Sequence, residues 1–373
     1  MAHPVKPSFE IINVSDRDVE FIARDCHLEV MNSLRRVILS EVETVAAQYD
    51  QYNMGDSGKN DIFIIENTTV LHDQIMGHRI SLLPVHMTYD KIKNHARDDY
   101  KFVLNTKNET NAPIYVTSGD VVIYDKDASP LNQQQRDALL PPDYITGDYP
   151  IIARLKPGEV FKAEFYARRG VAIDHARFSP VSTCAYMNVV DSSAAEADIV
   201  ASLEGQDDDK MKEIREQHET LKKYRIFKKD SLGDARETRF LIESECGMSA
   251  CDIVLAAFDV IIEKINRMDS PDKLRVVKVT ELNNDSKDVL YELELLDEDH
   301  TMGNLYQALC YRFYEDIEYI GYNVPHPLER KVKFKIKMDA KKDLDSFVVK
   351  SRKDILAHVE QLRYLFAEAT KTS

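Results

Sequence analysis

Three carboxylates and an imidazole stand in a row at Asp297, Glu298, Asp299 and His300, the residue types from which metal sites are built. The same residues make a helix start, because anionic side chains favour the N-terminal end and Asp299 or Thr301 can cap it; that is the reading adopted. His175 and Ser179 have the types of a base and a nucleophile. No G-x-S-x-G elbow surrounds Ser179, and a turn before Pro180 accounts for it. Cys246 and Cys251, with four residues between them, fall at the start of an apolar helix, where buried thiols are expected rather than ligands. With no phosphate loop, triad or CxxC pair, no catalytic residue, metal or cofactor is expected.

The remaining chemistry is that of recognition. Arg35 and Arg36 lie opposite the apolar stripe Leu28, Met31, Leu34 and Ile38 of an amphipathic helix about three turns long. Guanidinium groups placed there offer planar, multiply donating contacts to carboxylates and carbonyls of another protein; a solvated face is the plain alternative. His78 and Arg79 sit near the end of a helix stopped by Pro84, where a cation meets the C-terminal dipole. In KVKFKIK, Lys331, Lys333, Lys335 and Lys337 alternate with Val332, Phe334 and Ile336, giving a lysine face that either touches nucleic acid or is solvated. Gly303 would admit close approach of another backbone, as at a subunit junction.

These residues need elements to carry them. A chain of 373 residues exceeds what one core usually spans, so two or three domains are expected. Its 43% apolar and 30% charged residues are those of a globular protein. The 64 acidic against 49 basic residues leave a charge of −15, the wrong sign for a protein that coats a duplex unaided. Five irregularly spaced cysteines, no apolar signal-peptide core at the N-terminus and no run near ~18 apolar residues point to a soluble protein of a reducing compartment.

Short alternating runs at 8–13 and 18–23 predict a strand, a turn and a strand ahead of the arginine helix. After a Gly/Asn/Asp stretch at 53–61, β-rich runs dominate from about 100 to 186, as in an inserted antiparallel module. Residues 191–234 are charged and poor in large apolar side chains, and are expected to be exposed or partly disordered. A second strong helix carries Ile253, Val254, Ala257, Phe258, Ile261, Ile262 and Ile265, and a stop at 268–271 follows. Beyond it come two strands, a helix near 301–314, the KVKFKIKM strand and a long terminal helix with Leu344, Phe347, Val348, Ile355, Val359, Leu362 and Phe366. In each half, a few short strands under two helices leave one helix face uncovered. Docking the halves face to face covers both, and a link over about 269–273, at most ~17 Å long, makes this easy.

The segments NSLRRVILSEVET (32–44), IIENTTVLHDQIMGHRISLLPVH (64–86) and YARRGVAIDHARFSPVSTCAY (166–186) closely resemble the assembly region of the alpha-like subunit of multisubunit RNA polymerases. That family comprises the bacterial alpha N-terminal domain, the archaeal D subunit and the third-largest eukaryotic subunit. LLDEDHTMGNLYQALCYRF (295–313) with IGYNVPHPLERKVKFKIK (320–337) is similar to its small partner, the archaeal L or eukaryotic eleventh subunit, with Met302 for Leu and Asn323 and Val324 interposed. A fusion of the two resembles the arrangement in some large cytoplasmic DNA viruses.

The resemblance implies an α+β chain: a split dimerisation domain at 1–50 and 235–270, a β-rich insertion at 51–190, a charged insertion at 191–234, and a small-partner domain at 272–373. It implies a non-catalytic assembly platform of a DNA-directed RNA polymerase, with Asn32, Ser33, Arg35, Arg36, His78 and Arg79 docking the second-largest and largest subunits. Leu34, Ile38, Phe258, Ile262, Met302, Leu305, Leu309, Val359 and Leu362 would form an intramolecular pseudo-dimer interface. Other small polymerase subunits are expected partners; DNA is reached only through the complex, and neither membrane nor homodimer is expected. The compartment would be host cytoplasm and virion for a viral chain, and otherwise the nucleus. Some family members hold zinc or an iron–sulfur cluster through cysteines of the insertion, but here only Cys184 lies between 51 and 186, so that ligand set is missing. A nucleic-acid-binding regulator using the lysine face is the alternative, and a free-standing enzyme the third reading.

Overall fold

The computed structural model describes residues 6–50, 58, 60–270, 272–281, 288–314, 317–339 and 343–371. Most of the 53–61 stretch, and Pro271 of the expected helix stop, lie outside them. β1 (Ser8–Val14) and β2 (Asp18–Arg24) form a hairpin and lead into α1 (Leu28–Ser40), whose inward face is Val30, Met31, Leu34, Val37 and Ile38. The following segment holds β3 (Thr44–Ala46), β4 (Ile62–Asn67), α2 (Asp73–Ser81), α3 (Tyr89–Asn94), β5 (Tyr100–Lys107), β6 (Ile114–Thr117), β7 (Val122–Asp125), α4 (Gln133–Leu139), β8 (Ile151–Leu155), β9 (Val160–Phe165), β10 (Arg168–Gly170) and β11 (Val181–Asn188). Next come α5 (Ser192–Leu203), α6 (Asp208–Gln217), β12 (Glu237–Ser244) and α7 (Ala250–Arg267). The chain ends with β13 (Leu274–Glu281), β14 (Asp288–Leu296), α8 (His300–Phe313), β15 (Tyr319–Asn323), β16 (Lys331–Asp339) and α9 (Leu344–Lys371).

Two four-stranded antiparallel sheets share one plan. The first has the order β1-β2-β12-β11 and the second β13-β14-β16-β15. In each, a hairpin is followed by a helix (α1 or α8), and the strand that pairs with the hairpin's second member is followed by another (α7 or α9). Asn32 and Asn304 are each the fifth residue of their helix. The repeat is thus one of topology, which hydrogen bonding and burial maintain while side chains diverge. The first sheet takes in β11, which the sequence reading assigns to the insertion, because Val181–Asn188 pairs along Glu237–Ser244.

Inserted into the first unit, between α1 and β11, is the β-rich module, with a sheet of order β4-β9-β5-β7 and a hairpin of β6 with β8. The 191–234 segment lies mostly exposed, one of the two expectations for it, and folds into α5 and α6, capped by Asp191 and Asp207. Side-chain caps and a polar surface let helices form there without a large core. The Gly303 expectation is also corrected, since a Cβ there would meet the Tyr322 ring at 2.5 Å and Val332 at 3.0 Å, both within its own unit.

Candidate assembly interface

The two repeats meet through their helices. α1 packs against α7 and α8, α7 against α9, and α9 reaches β1. Leu34, Ile38, Phe258, Met302, Leu305, Leu309, Val359 and Leu362 are buried in one continuous core, with Ile262 partly buried against it. At its centre Phe366, from the last helix, is fully buried among aromatic rings of the first unit. Its centroid lies 5.1 Å from Phe21, 5.4 Å from Phe9 and 6.5 Å from Phe258, and Phe21 stacks on Phe240 at 5.0 Å. Edge and offset ring contacts of this kind add attraction beyond the area they bury.

Charged links surround this apolar centre and run in both directions. From the first unit, Arg36 donates through Nε to Thr301 Oγ1 at 2.8 Å and through Nη2 to Asp299 Oδ2 at 3.1 Å. Asp299 caps α8 by accepting from the Thr301 amide at 2.7 Å. Its carboxyl, which burial alone would raise, is held below the usual range by the Thr301 hydrogen bonds and Arg36. Lys264, 5% exposed, sits between Glu41 at 2.6 Å and Glu298 at 2.7 Å. Burial opposes its charge, yet the two carboxylates outweigh that and hold the ammonium above its ordinary value; burial pushes Glu298 up, because one ammonium serves two acids.

From the second unit, Arg363 makes a two-pronged pair with Asp259 at 2.6 and 3.0 Å. Arg312, its side chain 7% exposed, reaches Glu29 at 3.1 Å and Asp230 and Asp234 at 2.7 Å. Each unit therefore supplies two cations to acids that include ones on the other, as antiparallel helices sending arginines to each other's N-termini would do.

The residues expected to dock a partner separate into distinct environments. Ser33 is buried, because it falls on the inward side of α1 between Met31 and Leu34. Arg36 is engaged at α8, as described. Arg35 donates to Asn32 Oδ1 at 3.3 and 3.1 Å and has no carboxylate partner among the described residues. On α2, Arg79 donates to the carbonyls of Ile152 at 2.8 Å and Ile151 at 2.7 Å, tying the helix to β8. His78 is exposed and opens on a cleft of about 550 Å³ shared with Tyr49, Asp174, His175 and Arg177. Among the described residues, no hydrogen bond or ion pair joins the α1 group to the α2 group.

Arg177 in that cleft donates to the carbonyls of Ala47 at 3.0 Å and Tyr49 at 3.3 Å, leaving its buried Nε without a partner. His175 accepts from the Arg177 amide at 3.1 Å, while Ser179 donates to the Val181 carbonyl at 2.9 Å, so the two are not joined as base and nucleophile. The cysteines are free thiols, and burial pushes Cys26, Cys184 and Cys310 up to about 12. Among the described residues no group of three or more His, Cys, Asp or Glu could hold a metal ion. The lysine face of β16 is matched by acids: Lys331 with Glu329, Lys333 with Glu294, Lys335 with Glu292 and Lys337 with Glu318.

Sequence reasoning missed Lys264, Glu41, Glu298, Asp259, Arg312 and Arg363 as interface groups. One signal was available, because Lys264 falls on the apolar stripe of Ala257, Ile261 and Ile265, where a lone cation implies a buried acid. The others carry no local mark.

Fold and junction together define an α+β dimerisation protein whose two units are joined in one chain. Two family models, each described as the RNA polymerase Rpb3/Rpb11 dimerisation domain, match residues 20–265 and 291–364. The chain belongs to this Rpb3/Rpb11 dimerisation-domain family. It is 28% identical over 204 residues to DNA-directed RNA polymerases I and III subunit RPAC1 of Saccharomyces cerevisiae, covering 48% of this chain and 57% of that protein. It is 28% identical over 195 residues to DNA-directed RNA polymerases II, IV and V subunit 3 of Arabidopsis thaliana, covering 48% and 56%. The DNA-directed RNA polymerase subunit Rpo3 of Pyrococcus furiosus is 28% identical over 173 residues, covering 46% and 55%. The chain thus spans little more than half the length of these relatives.

Proposed function

We propose that this chain is a non-catalytic assembly subunit of a DNA-directed RNA polymerase, in which residues 1–270 act as the alpha-like subunit and 272–373 as its small partner, fused. The observation that carries the reading is Phe366 buried among Phe9, Phe21 and Phe258. A helix of the second unit completes the core of the first, as two dimerising subunits would. The match of a dimerisation-domain family to each unit supports it. The resemblance of such a fusion to the arrangement in large cytoplasmic DNA viruses supports a viral source, with host cytoplasm and virion as its compartment; a nuclear site is the alternative. Among the described residues no helix is long and apolar enough to cross a membrane.

The docking surface for the second-largest and largest subunits is centred on Arg35 with Asn32 on α1, and on the exposed His78 beside its cleft. Arg36, Ser33 and Arg79 shape this surface from within. The acids opposite Lys331, Lys333, Lys335 and Lys337 leave a nucleic-acid-binding regulator little free cationic surface on that sheet. The test is affinity purification of the tagged chain from its native source, followed by identification of bound chains. Two large polymerase subunits are expected to co-purify in stable proportion; a chain recovered alone, or with nucleic acid only, overturns the reading.

A further inference from the structure

One corner of the junction brings imidazole and phenyl rings of both units together. His27, the residue at the N-terminal cap of α1, lies with its ring centroid 5.1 Å from His358 of α9 and 6.1 Å from Phe313 of α8. Phe313 and His358 are 5.4 Å apart, so three rings from three helices close on one another. Both imidazoles are largely withdrawn from water, and His358 Nε2 is buried without a hydrogen-bond partner among the described residues. Next to Phe313 in sequence is Arg312, which holds Glu29 at the start of α1 and the turn carrying Asp230 and Asp234. The corner is where both units and the end of the 191–234 segment meet.

We propose that this corner is an acid-operated clasp: the uncharged His27–His358 pair, beside Phe313 and Arg312, holds the two units closed, and proton uptake by the pair loosens them. The charged groups facing it are Glu29 from α1, Arg312 from α8, and Asp230 and Asp234 from the connecting turn. Burial lowers His27 to about 4, with Arg312 adding to the shift and Asp230 opposing it. Burial likewise lowers His358 to about 4, and His27 adds to it, since two imidazolium ions in contact would repel. Asp230 stays below the usual carboxylate range: burial opposes this, but Arg312 and the backbone amides of Asp234 and Leu232 prevail.

The sign follows from linkage. A folded-state value below the unfolded ~6.5 means the unfolded chain binds more protons between the two, so stability is full above about pH 6.5 and falls as pH drops toward 4. The clasp is independent of what the chain assembles with, and it is read on the full chain alone. Histidine C2-hydrogen exchange followed by mass spectrometry is expected to place His27 and His358 well below 6.5; a value at or above 6.5 for either in the folded protein overturns the proposal. Urea unfolding at pH 7.5 and pH 5 is expected to show the wild-type folding constant falling more than about tenfold further than that of the His27→Gln/His358→Gln variant. Equal losses in the two proteins overturn it too. Should the variant not fold, the exchange measurement on the wild type decides alone.

Discussion

Arg35 and Arg36 are neighbours of one type on one helix, and their fates differ. Arg36 is drawn to the cap of α8, whereas Arg35 keeps its donors beside Asn32. Arg36→Ala is accordingly expected to lower the urea midpoint by the equivalent of about 1 kcal/mol of stability, the worth of a partly exposed charge-assisted contact. Arg35→Ala should leave that midpoint unchanged and reduce recovery of the large subunits in a pull-down. Lys264 is the costlier position. Lys264→Met leaves Glu41 and Glu298 buried without a cation and is expected to cost about 3–5 kcal/mol in urea unfolding, most of which the further changes Glu41→Leu and Glu298→Leu recover. At this scale the sequence shows which residues can donate but not what each meets, because acceptors at Asp299 and Glu298 are more than two hundred residues from Arg36 and thirty-four from Lys264.

Among the elements, α9 depends most on its surroundings. Its stripe of Ile355, Val359, Leu362 and Phe366 is fully buried, yet α7 and β1 of the other unit cover much of it. Phe366→Ala is expected to destabilise the full chain by about 3–5 kcal/mol, read by thermal or urea unfolding, and to weaken association when residues 1–268 and 272–373 are co-expressed as separate chains. The unmutated fragments should co-purify, since buried apolar area rather than the short link supplies the attraction. Failure of two soluble, folded fragments to bind would count against the interface. The long helices α1, α7 and α9 were legible from their stripes. The membership of β11 in the first sheet was not, because an alternating run states that it pairs but not with which strand.

For the molecule as a whole, the two units, the β-rich module and the α5–α6 arm differ in how much they bear. The ends of the arm lie together, with the Asp191 amide donating to the Ile226 carbonyl at 2.9 Å. Excision of 192–225 with a short turn in its place is therefore expected to change stability by less than about 1 kcal/mol, measured by thermal unfolding, while Asp230 and Asp234 keep their hold on Arg312. A loss of several kcal/mol would show the arm to be part of the core.

The amino-acid order by itself determined that this protein has two helix-rich ends with an unfilled apolar face each, and motifs that resemble two polymerase subunits. Those features are local, set by period and by short-range spacing. Only the tertiary structure decided that the ends repeat one sheet plan, that Phe366 fills the first unit's core, and that Lys264, Arg36, Arg312 and Arg363 lock the junction. Such pairings depend on distances across the fold, which low-dielectric surroundings turn into large energies and which no window along the chain contains.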